Sequence, residues 1–440
     1  MESKAVVSLT NGKKAFGNNE VLKDISLTVN AGDVLAIIGP SGGGKSTLLR
    51  CMTLLETLDS GDLSYGDLTV CANDAAGRAV YGGKDVIAAA KTRFGLVFQN
   101  FNLFPHYTVL QNVTDALICV QKMPKDEALA RGRELLARMG LADKESMVPC
   151  DLSGGQQQRV AIARTLAPEP SVLFMDEPLS NLDAKLRLEM RYELQRLHVE
   201  TGSTFVYVTH DQMEAMTLAT QICLMNNGVL QQYAAPLEVY NHPSNLFAAD
   251  FVGNPSINFV EAKGWQGPEG SIELTLLDGH KAVFTPEQPL QLPQWFHRRD
   301  EELEAQAQAL KARAGESGYV EKSNKDETFR YHIARVNDED DGIHEEPMLT
   351  NEDLVLGIRP EFLSITGGGN VKCEIYGAMP TGMESTVKVR IGEYLLTGVV
   401  FGSTLFTIGS KHLLDITGSS VMLFDRSSGR RITSGTLKLL

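Results

Sequence analysis

The sequence predicts two domains of different class, a layered α/β domain over residues 1–245 and a β-rich domain over residues 246–440. Strand-like and helix-like apolar patterns alternate as far as Asn245, as they do in layered α/β folds. Beyond Asn245, short strand candidates separated by glycine turns replace this alternation. A chain of 440 residues also exceeds one ordinary hydrophobic core, so more than one domain is expected.

The elements of the first domain are predicted from the period of the apolar residues. Alternation of period two predicts a strand, as does a short continuous apolar run, whereas apolar residues at helical spacing opposite a charged face predict a helix. The predicted strands are 26–29, 34–38, 94–98, 172–175 and 205–208. The predicted helices are 128–139, 156–166 and 184–197.

The second domain contains strand candidates at 272–277 and 387–400. Between them, residues 298–348 are charged and poor in apolar side chains. Within this stretch, residues 301–314 predict one exposed helix, and the remainder predicts an insertion or a mobile loop.

Composition excludes several classes of function. The formal net charge of −14 argues against a broad nucleic-acid-binding surface. The six cysteines are scattered and form no Cys-x-x-Cys pair, so we expect free thiols in a reducing compartment, the cytosol. No apolar run approaches the ~18–20 residues needed to span a bilayer, and the N-terminus lacks the pattern of a signal peptide. Any role at a membrane would therefore depend on a partner.

The most informative segment is a glycine-rich loop that follows the predicted strand 34–38 and opens a helix near Lys45. In this context the pattern G-x-x-x-x-G-K-[ST] predicts phosphate binding, because glycines let backbone N–H groups close around a β-phosphate at a helix N-terminus. Lys45 would reach the β- and γ-phosphates, and the Ser46 hydroxyl would ligate Mg²⁺. The alternative, an ordinary glycine turn, explains neither residue. The candidate ATP-binding residues are Gly39, Ser41, Gly42, Gly43, Gly44, Lys45, Ser46 and Thr47.

Two acidic residues complete this half of the candidate site. The predicted buried strand 172–175 is followed directly by Asp176 and Glu177. Asp176, at the carboxyl end of the strand, would bind Mg²⁺ through water, and Glu177 would orient or deprotonate the attacking water. Such a pair can also be only the charge at a helix N-terminus, but the phosphate-binding loop upstream favours a catalytic use.

Residues 152–159, Leu-Ser-Gly-Gly-Gln-Gln-Gln-Arg, resemble the signature of the ATP-binding cassette (ABC) ATPases. A serine hydroxyl, two glycine N–H groups and a following helix again suit a phosphate. The resemblance implies that Ser153, Gly154 and Gly155 bind the nucleotide of an opposing cassette. The chain would then form an ATP-dependent homodimer or pair with a similar cassette. The resemblance also implies a P-loop NTPase fold with a helical subdomain at about 100–165.

Four further residues match family motifs in the expected order. Phe16 matches the aromatic residue that stacks on adenine, and Gln99 matches the Q-loop glutamine that senses Mg²⁺ and links to the transmembrane partner. Asp183 lies in the match to the D-loop, which communicates across the dimer, and His210 matches the switch histidine that contacts the γ-phosphate. Phe16 and His210 could also be ordinary core residues.

No component departs from the catalytic pattern, so the resemblance implies a cassette that hydrolyses ATP. It assigns catalysis to Glu177, His210 and Gln99. It places Ser46, Gln99 and Asp176 at the metal.

Within the ABC proteins, residues 176–216 resemble the ATPases of carbohydrate importers of the maltose/glycerol-phosphate type. The resemblance continues through 236–240 to 251–258, and 357–361, Gly-Ile-Arg-Pro-Glu, matches a hallmark of their C-terminal OB-type β-barrel regulatory domain. Such a domain could regulate transport or serve only as a dimer clamp. The family further implies two transmembrane permease subunits, an extracytoplasmic solute-binding protein and a peripheral location on the inner face of the membrane.

Two departures leave the cargo open. The sequence of residues 98–106 is more similar to that of amino-acid importer ATPases than to that of carbohydrate importer ATPases. The acidic stretch 327–346 does not match the compact family pattern. The alternatives are an importer ATPase for polyamine, amino acid or inorganic ion, and a soluble ABC ATPase acting on ribosomes, nucleic acid or DNA repair. One cassette, no sustained heptads and an acidic balance disfavour the soluble alternative.

Overall fold

The computed structural model describes residues 4–277, 279–314, 331, 333–336, 349–365, 369–402, 404–418 and 420–440. The chain forms two units, Met1–Leu237 and Glu238–Leu440. Of the predicted insertion 298–348, only 298–314, 331 and 333–336 belong to the described residues. In the described part of the chain, no helix is both long and apolar enough to cross a membrane.

The first unit contains two sheets. A five-stranded antiparallel sheet has the order β2-β1-β4-β5-β6, with β1 Ala5–Phe16, β2 Asn19–Asn30, β4 Ser60–Tyr65, β5 Leu68–Asn73 and β6 Ala79–Tyr81. A six-stranded sheet has the order β11-β10-β3-β9-β8-β7, with β3 Val34–Ile38, β7 Phe94–Val97, β8 Val172–Asp176, β9 Thr204–Val208, β10 Gln221–Asn226 and β11 Val229–Ala234. All its neighbouring strands are parallel except β11.

The main α-helices of this unit are α1 Lys45–Met52, α2 Lys84–Lys91, α3 Val109–Cys119, α4 Lys125–Arg138, α5 Gly154–Leu166, α6 Ala184–Thr201 and α7 Gln212–Leu218. Strands β3 and β9 are buried along their whole length, as parallel strands covered on both faces must be. One core joins both sheets and α1, through residues such as Leu9, Phe174 and Leu48.

The strands predicted at 26–29, 34–38, 94–98, 172–175 and 205–208 all coincide with β2, β3, β7, β8 and β9. Continuous apolar runs identified the parallel strands because both of their faces are buried. The predicted helix 128–139 begins earlier, at Lys125, since the polar first turn of α4 carries Asp126 and Glu127 and so lacks apolar periodicity.

The second unit contains a closed barrel and an open sheet. The barrel has the order β12-β13-β14-β22-β21-β15, with β12 Asn258–Gln266, β13 Ile272–Leu276, β14 His280–Pro286, β15 Asp353–Ile358, β21 Val421–Asp425 and β22 Arg431–Leu439. The sheet has the order β16-β20-β17-β18-β19, with β16 Leu363–Ser364, β17 Val371–Pro380, β18 Glu384–Ile391, β19 Tyr394–Phe401 and β20 Lys411–Ile416. Its helices are α8 Pro236–Asn241, α9 Leu246–Phe251 and α10 Leu292–Ala314.

A β-barrel in this half was predicted and is present, and one core runs through barrel and sheet. The stretch 387–400 is two strands, β18 and β19, because Gly392 (φ +56°) turns the chain between them. Helix α10 begins nine residues before the predicted position 301. Its first turns are anchored by the buried side chains of Leu292 and Phe296, and Arg299 pairs with the buried Asp425 at 3.0 Å.

Arg359, from the barrel hallmark 357–361, is a structural residue of this unit. Its side chain is 1% exposed, and its guanidinium donates hydrogen bonds to the carbonyl oxygens of Ala249 (3.1 Å), Val252 and Tyr240 (2.7 Å). It also lies 4.0 Å from the centroid of the Tyr240 ring. Burial lowers the pKa of Arg359. One buried cation thus ties α8 and the end of α9 to the barrel.

Replacing this cation tests its structural role. We expect Arg359→Met to destabilise the second unit by about 3 kcal/mol, because it leaves several buried carbonyl oxygens without donors. Calorimetric unfolding of the full chain measures the change. Arg298→Met, at an exposed arginine of α10, is the matched control and should change stability by less than about 0.5 kcal/mol. Equal stability of the two variants would refute the role.

Candidate nucleotide-binding and hydrolysis site

The glycine-rich loop connects β3, which ends at Ile38, to α1, which begins at Lys45. Two of its positions exclude any side chain. A Cβ at Gly39 (φ +149°) would lie 2.0 Å from the Met225 carbonyl oxygen, and one at Gly44 (φ +92°) would lie 2.8 Å from that of Val21. Backbone alone therefore forms the wall of the loop at both ends, as close approach to a phosphate requires.

The remaining loop residues surround a buried lysine. Lys45 is 7% exposed, and its Nζ donates hydrogen bonds to the carbonyl oxygens of Gly39 (2.9 Å) and Pro40 (2.8 Å). Burial lowers the pKa of Lys45, while the charge of Glu177 acts in the opposite direction. Gly43 is buried, Ser41 and Gly42 are exposed, and Thr47 is half-buried in the first turn of α1. The ammonium group thus lies within the loop, close to the acid pair.

Ser46 and Asp176 come together from α1 and β8. The Ser46 hydroxyl donates to Oδ1 of Asp176 at 3.5 Å. Burial, followed by the charge of Glu177, raises the pKa of Asp176. A hydroxyl and a carboxylate oxygen are ligands of the kind that Mg²⁺ prefers, so this pair fits an ion that also takes water and phosphate oxygens.

Glu177 turns away from Asp176 because its backbone is left-handed, with φ +45°. This conformation costs roughly 1–2 kcal/mol for a residue other than glycine. Its Oε2 lies 3.2 Å from Nε2 of Gln99 and 3.5 Å from Nδ1 of His210. Three residues predicted as catalytic from separate segments therefore meet at one carboxylate.

Two residues of the same site were not assigned a role from the sequence. Ser180 Oγ accepts a hydrogen bond from Gln99 Nε2 (3.3 Å) and donates one to the Glu177 carbonyl oxygen (2.9 Å). Asn181 Nδ2 donates to the Gln99 carbonyl oxygen (3.0 Å). Both belong to the segment 180–183 that matches the D-loop, of which the sequence analysis named only Asp183. Their side chains hold the Q-loop against the loop that follows Glu177.

Asp183 and the signature residues lie elsewhere in the unit. Asp183 caps α6 and accepts from the Leu186 N–H at 3.0 Å. Ser153 caps α5 in a reciprocal pair with Gln156. A Cβ at Gly155 would lie 2.8 Å from a Leu186 methyl carbon, so the signature packs on the first turn of α6. In this described unit, no hydrogen bond joins 153–155 to the phosphate-binding loop.

Phe16, at the end of β1, is 48% exposed rather than part of the core. The Lys14 Nζ lies 5.1 Å from its ring centroid and also pairs with Glu56 (3.1 Å) and Asp59 (3.4 Å). One aromatic face thus remains available for a planar ligand.

This fold and site define a P-loop ATPase built as an ABC cassette. Residues 22–180 match the model of the ABC transporter family. The chain is 41% identical over 282 residues to the maltose/maltodextrin import ATP-binding protein MalK of Mannheimia succiniciproducens, an alignment that covers 64% of this chain and 71% of that protein. The chain therefore belongs to the ATP-binding proteins of ABC transporters, as its motifs predicted.

Two further relatives are also ATP-binding proteins of solute transport. The sn-glycerol-3-phosphate import ATP-binding protein UgpC of Ruegeria pomeroyi is 41% identical over 270 residues, which cover 61% of this chain and 72% of that protein. The lactose transport ATP-binding protein LacK of Rhizobium radiobacter is 44% identical over 261 residues, which cover 59% of this chain and 67% of that protein. The predicted class, an ABC-type ATPase with a barrel-like C-terminal domain, is confirmed.

Replacing the convergent carboxylate tests its predicted role. Glu177→Gln should bind ATP and accumulate a closed dimer, while turnover falls roughly 10²–10⁴-fold, because the amide cannot accept the proton of the attacking water. Phosphate release and size-exclusion chromatography with ATP measure both effects. Glu127→Gln, at an exposed position in the first turn of α4, is the control. Normal turnover in Glu177→Gln would exclude a general base at this position.

Removing the exposed ring tests adenine stacking. Phe16→Ala should raise the KM for ATP about tenfold and leave kcat unchanged, because stacking on a base contributes ~1–3 kcal/mol of binding. Phe16→Trp should retain the wild-type KM. Val80→Ala, which shortens an exposed side chain in the same sheet, controls for general loss of apolar surface. An unchanged KM in Phe16→Ala would contradict stacking.

Proposed function

We propose that this chain is the ATP-hydrolysing subunit of a membrane importer for carbohydrates or related polyols. The observation that carries the proposal is the convergence of Gln99 and His210 on Glu177, whose charge also acts on Lys45 in the phosphate-binding loop. The names of the relatives support transport into the cell and a carbohydrate or polyol as the transported solute. They describe maltose/maltodextrin import, lactose transport and sn-glycerol-3-phosphate import.

The chemistry of hydrolysis follows from where these groups lie. Lys45 would bind the β- and γ-phosphates of ATP. Ser46 and Asp176 would hold Mg²⁺, which when bound neutralises charge on the phosphates. Glu177 would take the proton of the attacking water, and Gln99 would orient the water and sense the ion. His210, whose Nδ1 lies 3.5 Å from the Glu177 carboxylate, would contact the γ-phosphate.

The active form is proposed to be a dimer of cassettes. Ser153, Gly154 and Gly155 of one copy would bind the nucleotide that the loop 39–47 of the other copy holds. Among the described residues of one copy, no hydrogen bond joins these two segments, which is consistent with each acting on a nucleotide together with a second copy. Free energy would enter as tighter binding of ATP to the closed dimer than to the open one.

The proposed docking surface for the permease subunits is an exposed aromatic pair that follows the Q-loop residue Gln99 in the chain. Phe104 is 48% exposed and Tyr107 is 38% exposed, and their rings lie 5.1 Å apart. Arg164 braces this segment by donating to the carbonyl oxygens of Phe101 (2.8 Å) and Asn102 (2.7 Å). Two adjacent exposed aromatic rings are the kind of anchor that interfaces use. The chain would then lie peripherally on the inner face of the membrane, with a solute-binding protein outside.

Co-purification tests this assembly. The tagged chain, recovered from gently solubilised membranes, should bring with it two multi-span permeases and a solute-binding protein. The purified binding protein can then be titrated with maltose, lactose, glycerol phosphate, a polyamine and amino acids. Tightest binding of a polyamine or an amino acid would replace the carbohydrate by that alternative cargo. Ribosomal or nucleic-acid partners, without a membrane protein, would overturn the transport function.

A matched pair of variants tests the docking surface. Phe104→Asp should lose the permeases while retaining ATP binding, because it places a charge in an apolar contact. Val199→Asp, at a 76% exposed apolar residue of α6, should retain them. Permease recovery that is equal for both variants would exclude docking at Phe104.

A further inference from the structure

Four residues after His210 lies a buried acid that has no part in the proposed hydrolysis. Glu214, in α7, is 3% exposed, and its Oε2 accepts a hydrogen bond from the Thr209 hydroxyl at 2.6 Å. Thr209 is 2% exposed and directly precedes His210. The Glu214 carbonyl oxygen also accepts from the Tyr207 hydroxyl at 3.1 Å. A carboxylate removed from water is costly unless partners hold it, so this side chain is bound in place by its surroundings.

The residue on the other side of His210 is held by α6. Arg191, on that helix, pairs with Oδ2 of Asp211 and lies 3.8 Å from Oε1 of Glu214. Asp211 in turn caps α7 by accepting from the Glu214 N–H at 3.2 Å. Arg187, one turn earlier in α6, lies 3.7 Å from the same Asp211 oxygen. Thr209 is therefore held by the buried Glu214, and Asp211 is held by the half-buried guanidinium groups of Arg187 and Arg191.

Helix α6 also connects these charges to the loop 180–183. Arg187 Nη2 donates to the Leu182 carbonyl oxygen at 3.1 Å, one residue before the helix cap Asp183. The same first turn of α6 packs on the signature glycine Gly155 through Leu186. The arginines of one helix thus contact both the segment around His210 and the loop that follows Glu177.

We propose that Thr209, Glu214 and Arg191 form a positioning cluster that fixes the backbone on both sides of His210 and ties it to α6. The inference rests on the proposed hydrolysis of ATP at this site, but not on any transported solute or permease. His210 itself is 56% exposed in side-chain area, and its contact with Glu177 spans 3.5 Å. Apart from its contact with Glu177, this exposed imidazole depends for its position on its backbone, which the cluster restrains.

The charges of the cluster and of its neighbours Asp211 and Arg187 are balanced. Two carboxylates, Asp211 and Glu214, face two guanidinium groups, Arg187 and Arg191. Burial and the charge of Asp211 raise the pKa of Glu214, whereas the Thr209 hydrogen bond and the two arginines act to lower it. Removal of Thr209 or Arg191 would leave the buried Glu214 with fewer partners, so the cluster should behave as a unit.

The first test compares two substitutions at Thr209. Thr209→Val removes the hydroxyl donor at nearly constant volume and should lower kcat about tenfold, less than the roughly 100-fold that a 1 Å misplacement of a reacting group can cost. The KM for ATP should change less than twofold, because Lys45 and the phosphate-binding loop, which supply most of the binding, are unchanged. Thr209→Ser retains the hydroxyl and should restore kcat. Equal kcat for the valine and serine variants would overturn the proposal, as would a KM that rises in step with the fall in kcat.

The second test is a double-mutant cycle in kcat. Arg191→Met should lower kcat by a similar factor, and Arg191→Met combined with Thr209→Val should lose little more than either single variant, because both release the same restraint. Additive losses would show that the residues do not act as one cluster. Should Arg191→Met fail to fold, Glu214→Gln takes its place, since it keeps an oxygen for Thr209 and removes only the charge that faces Arg191.

A control separates this inference from the proposed function. Wild-type ATPase activity is measured first in the purified full chain, and its absence would contradict the proposed function itself. With that activity present, Val199→Met, at an exposed position of α6, should match the wild type in both kcat and KM. Thermal unfolding of every variant measures the folded fraction, and kcat is compared per folded chain.

Discussion

The parallel pairing of β3, β9 and β8 is the constraint on which the site depends. In register, Ile37 of β3 pairs with Val208 of β9, and Val208 pairs with Asp176 of β8. Because parallel strands present their carboxyl ends at one edge, this register delivers the phosphate-binding loop, the acid pair and the segment before His210 to the same place. The pairing is stable because these strands are buried on both faces. Such burial requires a continuous run of apolar residues, which each strand has.

Once the strands are aligned, the site is assembled from buried and half-buried charged groups, each held by polar partners. Lys45 donates hydrogen bonds to backbone carbonyl oxygens, and Asp176 accepts one from the Ser46 hydroxyl. Glu214 is held by Thr209 and Arg191. Each group would be costly alone in a low-dielectric interior. The second unit uses the same physics for a different purpose, since Arg359 with its carbonyl acceptors and Arg299 with Asp425 hold helices onto the barrel without any catalytic part.

Glu177 shows how the fold separates two adjacent acids into two roles. Its left-handed backbone, supported by the hydrogen bond from its N–H to the Val208 carbonyl oxygen (3.0 Å), directs it away from Asp176 and toward Gln99 and His210. Asp176 remains with Ser46, where a metal ion is expected. The proposed positioning cluster extends this arrangement one layer deeper, because it restrains the backbone that carries His210.

The sequence by itself determined the features that short, contiguous segments encode. The glycine loop, the acids after an apolar strand and the signature before a helix are each contiguous, so they predicted both the α/β cassette and most of its candidate site. Buried parallel strands were found because their two covered faces leave an uninterrupted apolar run. The hallmark 357–361 indicated the barrel domain but not what Arg359 does within it.

Only the tertiary structure decided which distant side chains meet. Gln99 reaches Glu177 across 78 positions, and Arg191 reaches Asp211 across 20. The closed barrel with its neighbouring open sheet likewise depends on pairings between strands far apart in the chain, such as β14 with β22. Contacts of this kind leave no local signature, because an arginine or a glutamate with a distant buried partner has the same sequence context as one in solvent. Strand alignment and helix packing bring these groups together, and those depend on the whole core.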